Sequence, residues 1–422
     1  MMAFMLIGSL IGLLALGIPV GFALWLTGLG AVAIFQVTSF TQVAQSMFSG
    51  LDSFVLLAIP FFILAGNIML RSGFAKYLFD LMQSLVGGVS GGASIGASGA
   101  SAIFGAMTGS SVASAAALGR VMIPVMGGLG YPRPFTAGLM AAGGTLGILI
   151  PPSVTFVIYA EMAQQSVKDL FLAGVVPGLV AASAIGAVAF AISYRHGYGK
   201  ETQPFSLARV WASFVFAGPA LLMPAIVLGG IYLGVFTPTE AAAVSAVYGL
   251  LIGMFVYRTI SLSDLPGIFI DSARSTGAIL FILSGALFVG MVATLAGIPD
   301  AIVNFINHLN LSALGFLFLV NAVLLVLGCF LDGFTLLTVV TPLLLPTVKA
   351  LDINLIHFAI VLTLNIEIAA ITPPVGLNLF VITGISGTTM HEVARGAFPF
   401  VIALMAVLIL IVLFPSIALV LL

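Results

Sequence analysis

Charge is what this chain has least of. Asp, Glu, Lys and Arg make up 6% of its 422 residues, against 61% hydrophobic. Soluble globular domains carry roughly 25% charged residues, so a water-facing surface over most of the chain is excluded and a multi-pass membrane protein is expected. The net charge of -1 gives no basic surplus for nucleic acid, and what matters is where the few charges fall. Cys329 is the only cysteine, which excludes an internal disulfide and a cysteine metal cluster. Four histidines, His196, His308, His357 and His391, fall in or beside expected loops, and no HExxH pair exists among them. Gly96-Ala97-Ser98-Gly99 matches the short GxSG pattern of intramembrane serine proteases, but that serine needs a histidine at membrane depth to activate it. An enzyme is therefore not expected. The first sixteen residues lack a basic n-region and a small-residue cleavage site, so they read as a retained membrane segment.

What is present in abundance is apolar sequence, and it is duplicated. Pro124 pairs with Pro346, Pro151 with Pro373, Pro152 with Pro374, Gly174 with Gly396 and Pro177 with Pro399, all at a constant offset of 222. Earlier residues correspond at an offset of 219: Pro19 with Pro238, Ala23 with Ala242, Gly30 with Gly249, Leu64 with Leu283 and Gly66 with Gly285. The repeat thus covers nearly the whole chain. Duplicated hydrophobic chains whose helices break at matching positions point to a secondary transporter with its site between the repeats.

Apolar runs near the length needed to cross a bilayer, roughly 20 residues, can be marked at 2–16, 18–36, 52–70, 169–194, 210–234, 237–257, 275–295 and 397–420. Two further runs, 134–162 and 356–384, each carry a proline break. Together these give about ten transmembrane helices. Residues 91–128 and 313–345 are each long enough for two helical arms but have polar or glycine-rich centres. Bare backbone is tolerated at membrane depth only against protein or a water-filled cavity, so these read as re-entrant helical hairpins. The expectation is an all-α fold of two repeats. Residues 1–200 hold a hairpin at 91–128 and a broken helix at 134–162. Residues 201–422 hold a hairpin at 313–345 and a broken helix at 356–384.

Five crossings per repeat is an odd number, which requires the repeats to be inverted. The basic residues test that topology independently. With the 195–209 linker cytoplasmic, Arg71, Lys76, Arg120, Arg133, Arg195, Lys200, Arg209, Arg258, Arg274 and Arg395 fall on the cytoplasmic side and only Lys168 and Lys349 outside. That is the positive-inside bias, and it places both termini in the periplasm.

A hairpin tip facing a broken helix brings helix ends together. Their N-termini favour an anion, and carbonyls freed by the break can bind a cation. The first tip offers Thr108, Ser110 and Ser111, with Gly143, Gly144, Thr145, Ser153 and Thr155 at the facing break. The second offers Asp332, Gly333, Thr335 and Thr338, with Thr372, Gly376 and Asn378 opposite. These are hard oxygen donors, suited to Na⁺ and lacking the soft ligands of a transition-metal site. Asp332 stands out, because an ionisable group at membrane depth usually pairs or lines a path; it also fits the N-cap of the second hairpin arm. Glu240 reads as a first-turn acid favoured by the helix dipole, and Glu367 is open to either reading. A channel remains a third choice, since a duplicated broken-helix site suits alternating access better than a continuous pore.

Three stretches carry a resemblance: Gly109-Ser110-Ser111-Val112-Ala113-Ser114, Gly147-Ile148-Leu149-Ile150-Pro151-Pro152-Ser153, and Ile371-Thr372-Pro373-Pro374-Val375-Gly376-Leu377-Asn378. With Gly17-Ile18-Pro19-Val20-Gly21 and Thr237-Pro238-Thr239-Glu240-Ala241-Ala242, the chain resembles, end to end, the large membrane (M) subunit of tripartite ATP-independent periplasmic (TRAP) transporters. The resemblance implies Na⁺-driven uptake of an organic anion, usually a carboxylate such as a C4-dicarboxylate or a sialic acid, across a bacterial inner membrane. It implies two partners, a periplasmic substrate-binding protein (P type) and a separate small membrane subunit (Q type). It also implies an elevator motion of a hairpin-containing domain. The implied Na⁺ positions are Ser110, Ser111, Gly144, Thr145, Asp332, Gly333, Thr335, Thr372 and Gly376, partly through backbone carbonyls. The implied substrate positions are Ser110, Ser111, Ser153, Thr155, Asp332 and Asn378. The alternative on the same architecture is a stand-alone divalent-anion/Na⁺ symporter.

Overall fold

The computed structural model describes residues 2–86, 88–199 and 205–422. The expected junction between the repeats, at residues 200 and 201 with Lys200 on its cytoplasmic side, lies outside the described residues. In the first half the helices are α1 (Met2–Ala15), α2 (Val20–Phe35), α3 (Phe40–Leu51), α4 (Ala58–Ser72), α5 (Phe74–Leu85), α6 (Gly92–Thr108), α7 (Ser111–Gly128), α8 (Arg133–Leu149), α9 (Val154–Ala163) and α10 (Val167–His196). In the second half they are α11 (Leu207–Tyr232), α12 (Pro238–Leu251), α13 (Leu265–Leu295), α14 (Ile298–His308), α15 (Ala313–Gly328), α16 (Gly333–Ala350), α17 (Leu355–Ala370), α18 (Leu377–Ser386), α19 (Met390–Leu413) and the single turn α20 (Ser416–Leu419). The chain is an all-α, multi-pass membrane fold.

Eight of these helical segments, or nine with the bent pair α8–α9, are long and apolar enough to cross a bilayer, counted among the described residues. The count differs from the ten crossings expected because length alone admits α7 and α16, which are hairpin arms, and misses α1, α2 and the broken α17–α18 run, whose helices are shorter. The second hairpin arm also continues to Ala350, beyond 345. Three amphipathic helices, α3, α5 and α14, fill stretches that carry no long apolar run. At 11 or 12 residues each they are too short to span and instead bury one face.

Local signals set the ends. Ser39, Ser166 and Ser312 cap the helices that follow them. Thr237 with Glu240 and Thr389 with Glu392 form capping boxes, in which the acid's Oε2 accepts from the threonine amide at 2.8 and 2.9 Å and satisfies a free helix-end donor. The breaks between α8 and α9 and between α17 and α18 each carry a cis proline–proline bond, 151–152 and 373–374, and α8 and α9 diverge by 40°.

Burial identifies the centre. Every residue from Phe135 to Leu149 of α8 and from Ile356 to Ala369 of α17 is buried. Helices apolar all round and wrapped by others are core elements. Around them pack α6, α7, α10, α15, α16, α18 and α19. Close crossings depend on missing side chains: a Cβ on Gly138 would lie 2.1 Å from the Gly396 carbonyl carbon, and one on Gly396 would lie 1.9 Å from the Pro134 oxygen. A second group, α2, α4, α12 and α13, is joined by Trp25 Nε1 donating to Ser284 Oγ (3.2 Å) and Asn67 Nδ2 to Ser272 Oγ (2.9 Å). The outside carries exposed Trp211, Leu222, Phe255 and Phe398, as a lipid-facing surface should.

Candidate functional site

Both hairpin tips are built by helix-capping chemistry. In the first, Gly109 takes a left-handed backbone (φ +60) at the end of α6. Ser110 then turns extended and its Oγ accepts the Ala113 amide at 3.4 Å, starting α7. Thr108 Oγ1 and Ser114 Oγ share a hydrogen bond of 2.6 Å beneath the turn. The glycines here are requirements of contact: a Cβ on Gly105 would lie 2.9 Å from the Gly147 backbone, and one on Gly109 would lie 3.0 Å from the Pro152 oxygen. The tip therefore reaches the α8–α9 break and stops there.

The second tip is charged. Asp332 caps α16: its Oδ1 accepts the amides of Phe334 and Thr335, each at 3.1 Å, and its Oδ2 accepts the Thr335 hydroxyl. The turn holds the α17–α18 break by a backbone bond from Val375 N to the Cys329 oxygen (3.1 Å). Gly333 and Gly328 abut Ile366 and Ala369 of α17, where added Cβ atoms would each approach within 2.4 Å.

These four pieces meet. Ser110 and Ser111 from the first tip, Thr155 beyond the first break, Asp332 and Gly333 from the second tip, and Asn378 beyond the second break line one cavity of about 60 Å³, walled by Val112, Ile148, Phe334, Ile366, Ala370 and Leu377. Asn378 ties the halves together. Its Nδ2 donates to Ser111 Oγ (2.8 Å) and to the Ala141 carbonyl (2.9 Å), while its buried Oδ1 accepts from nothing. An orphaned buried acceptor beside a carboxylate and serine hydroxyls is a donor set for a hard cation. Among the described residues no three His, Cys, Asp or Glu side chains group as a metal site.

The other positions drawn from the sequence lie off this cavity. Ser153 is fully buried with its Oγ on the Ile148 carbonyl (2.7 Å), Thr145 bonds the Ala142 carbonyl (2.7 Å) and Thr372 the Ile368 carbonyl (2.6 Å). Gly144 faces Ala115 of α7, where a Cβ would sit 2.6 Å away, and Gly376 holds a left-handed turn (φ +43) before α18. Thr335 acts through Asp332.

One group stands out beyond these. Glu367 on α17 is fully buried and both of its carboxylate oxygens lack a hydrogen-bond partner. Its neighbour but one, Asn365, donates to Asn321 Oδ1 of α15 (2.6 Å) and to the Val361 carbonyl (2.8 Å), leaving its own Oδ1 without a donor. The sequence signal for both was a polar pair inside an otherwise apolar helix.

An all-α membrane protein with two hairpins docked on two broken helices around a central polar cavity has the architecture of a transporter, and no catalytic constellation among the described residues competes with that. The chain belongs to a family: the model described as "Tripartite ATP-independent periplasmic transporter, DctM component" matches residues 7–417. It is 39% identical over 400 residues to the C4-dicarboxylate TRAP transporter large permease protein DctM of Pseudomonas aeruginosa, covering 94% of this chain and 93% of that one. It is 36% identical over 420 residues to the sialic acid TRAP transporter large permease protein SiaM of Vibrio cholerae, covering 99% and 98%. The isethionate TRAP transporter permease protein DctMQ of Oleidesulfovibrio alaskensis is longer: 96% of this chain matches 64% of it at 34% identity. The solved structure of the Alcanivorax borkumensis YdaH transporter shares the fold, with a TM-score of 0.64 over 89% of this chain and 88% of that one at 12% identity.

Proposed function

We propose that the chain is the translocating subunit of a Na⁺-coupled importer of an organic anion, a carboxylate of the C4-dicarboxylate or sialic acid kind. It works in a bacterial inner membrane with a small membrane subunit and a periplasmic binding protein that delivers the anion. The supporting observation is the convergence of both tips and both breaks on one cavity whose single ionisable lining group is Asp332. Na⁺ would take the hard oxygens there, Asp332, Ser110, Ser111 and Asn378 Oδ1, with carbonyls from the tip turns. The helix N-termini of α7 and α16 would face the carboxylate.

At about 60 Å³ the cavity holds ions and water; sites for small organic ligands run to roughly 300–1,000 Å³. Loading the anion thus requires the hairpin-bearing helices to move against the α2, α4, α12, α13 group, an elevator step of a transport domain against a scaffold, each drawn from both inverted repeats. The decisive experiment is uptake into proteoliposomes holding the assembled complex. Succinate and N-acetylneuraminate should be tried, each with its binding protein, with an inward Na⁺ gradient or with K⁺ alone. Uptake that ignores Na⁺ would overturn the coupling. Uptake that needs no binding protein would favour the stand-alone symporter. For topology, cysteines replacing Lys349 and Lys200 in a Cys329→Ser background should differ in labelling by an impermeant thiol reagent from the periplasmic side, Lys349→Cys reacting. Equal labelling of the two in sealed cells would end the inverted-repeat reading.

A further inference from the structure

One of the molecule's arginines, Arg120, lies where two cavities meet. Arg120 is nine residues beyond Ser111, about 13 Å along α7 at 1.5 Å per residue, well inside the helix. Its side chain is exposed and lines a cavity of about 270 Å³ between α7 and the α4–α13 group, together with Arg71 and Asp271. It also lines a cavity of about 590 Å³ bounded by the far part of α7, Tyr131 and Arg133 at the start of α8, and the end of α18. Arg120 is the residue common to both. The same broad face of α7 opens on the tip cavity through Val112 and carries small Ala116 and Ala117 between. Positions 112, 116 and 120 recur at helical spacing, so one stripe of α7 runs from the central site past Arg120 toward Gly127 and Gly128.

The charges along that stripe are unbalanced. Among the described residues, Arg71 pairs with Asp271 at 3.8 Å, both half-exposed, while Arg120 and Arg133 have no acidic partner within 4 Å. Both guanidiniums belong to the basic residues expected on the cytoplasmic side, within reach of water. Two unpaired ones facing the same large cavity concentrate anions there. This cavity, at about 590 Å³, has the capacity that the tip cavity lacks.

We propose that Arg120 and Arg133 form an anion-holding vestibule for a soluble carboxylate, occupied between the central site and the aqueous phase on the α7–α8 loop side. The proposal rests on the organic-anion reading of the function. Arg120, shared by the two cavities, hands the carboxylate along α7, and the bidentate geometry of guanidinium toward carboxylate suits it to that task.

The test uses the assembled complex in phosphatidylcholine liposomes, with Gly127→Cys in a Cys329→Ser background as reporter. A side chain at Gly127 meets nothing within 4 Å, so the thiol fits; Ala117→Cys is the second reporter. Reaction rates with an anionic and a cationic methanethiosulfonate reagent are compared after correction for their rates with a free thiol. The anionic reagent should be favoured on the order of tenfold, and Arg120→Gln and Arg133→Gln should each remove most of that preference while Arg120→Lys retains it. Succinate or N-acetylneuraminate at millimolar concentration should slow labelling where chloride of equal ionic strength does not. In uptake assays Arg120→Gln should lower turnover several-fold with the half-saturating Na⁺ concentration unchanged. Equal rates for both reagents in the parent, a preference indifferent to Arg120→Gln, or protection seen only when phosphatidylglycerol replaces phosphatidylcholine would each overturn the vestibule; the last would assign the arginines to lipid. If the parent complex takes up no organic anion at all, the functional reading fails on its own, and the thiol chemistry still decides whether Arg120 and Arg133 gather anions.

Discussion

The two hairpins occupy matching positions, and the core helices they dock against are built differently. The 222-residue offset sets Ser110 against Asp332, Gly105 against Leu327, Gly143 against Asn365, Thr145 against Glu367 and Gly147 against Ala369. In the first half the joint is made by absent side chains: Gly105 meets Gly147 backbone to backbone, and Gly143 admits Ser101 of α6, whose Oγ would be 2.5 Å from an added Cβ. In the second half α17 has no glycine, and at the position of Gly143 an amide reaches across to Asn321. Both joints are close, since Gly328 and Gly333 also abut Ala369 and Ile366; the second differs in burying polar side chains of α17, with acceptors left open on Asn365 and Glu367. One duplicated scaffold thus separates two duties. The glycine joint sets a tip backbone to backbone against its break, and under the proposed function the polar joint would carry the charge that ion coupling needs.

That division is broken most severely at Asp332. Asp332→Asn keeps an Oδ1 for the Phe334 and Thr335 amides, and asparagine is as good an N-cap as aspartate, so the helix start survives while the charge goes. Na⁺-driven uptake should fall by on the order of a hundredfold or more, as for loss of a group acting in a transported-ion site, with purification yield of the complex unchanged. Asp332→Ala also loses the cap, a further cost of about 1 kcal/mol, read as a lower melting temperature. Parent-level uptake by Asp332→Asn would reduce Asp332 to a capping residue and remove the asymmetry in charge.

The joints themselves give the next effect. In Gly147→Ala the new methyl would lie 2.8 Å from the Ser110 carbonyl and from Ser114 Oγ. Overpacking of that kind costs roughly 1–3 kcal/mol, and the thermal midpoint of the complex should drop accordingly. The reciprocal change, Ala369→Gly, loses about 1 kcal/mol of helix propensity or less without a clash. Equal losses from the two would mean that the core helix of the first half tolerates a methyl at its joint as readily as that of the second.

Much of this was legible in advance, and the part that was not has physical causes. Proline spacing suggested a duplication, and glycine-rich or acidic interruptions of apolar runs fall at the turns between α6 and α7 and between α15 and α16, because polar backbone in a membrane must be sheltered. Helices α3, α5 and α14 were passed over because length is the strongest membrane signal and they are short. Hydroxyls were the weakest guide to the site. Ser153, Thr145 and Thr372 look like ligands in sequence, yet each bonds a carbonyl three to five residues back, the ordinary local outlet of a hydroxyl in or beside a helix. The Asn378–Ser111 bond spans 267 residues of chain, and no local pattern encodes such a partner.

That bond is where the halves can be uncoupled gently. Ser111→Ala removes one of two acceptors from Asn378 Nδ2 and leaves the Ala141 carbonyl in place. The loss should be about 1 kcal/mol, seen as up to a tenfold rise in the Na⁺ concentration for half-maximal uptake with little change in melting temperature. Asn378→Ala strips the cavity of its open Oδ1 as well and should shift the Na⁺ dependence further. If Asn378→Ala leaves Na⁺ dependence where it was, the cation site lies elsewhere along the two tips.

Glu367 yields the smallest expected change and the sharpest reading of the polar joint. Among the described residues its carboxyl is enclosed with no hydrogen-bond donor and no arginine, lysine or histidine within 4 Å. A charge left so would cost several kcal/mol, so the side chain must be met by a proton or by a cation held at the joint. Glu367→Gln separates these. The amide keeps the volume and one acceptor and needs neither proton nor cation. If the group carries a proton, stability should stay within about 1 kcal/mol of the parent, and Na⁺-dependent uptake should be retained. If it balances a transported ion, Na⁺ dependence should shift or vanish at unchanged stability. We expect retention, because the tip cavity already gathers Asp332 and the orphaned Asn378 acceptor, and Glu367 sits on α17 beyond its wall. Loss of Na⁺ dependence in Glu367→Gln would extend the ion machinery from the second tip into the helix it docks against, and the polar joint would then be part of the site itself.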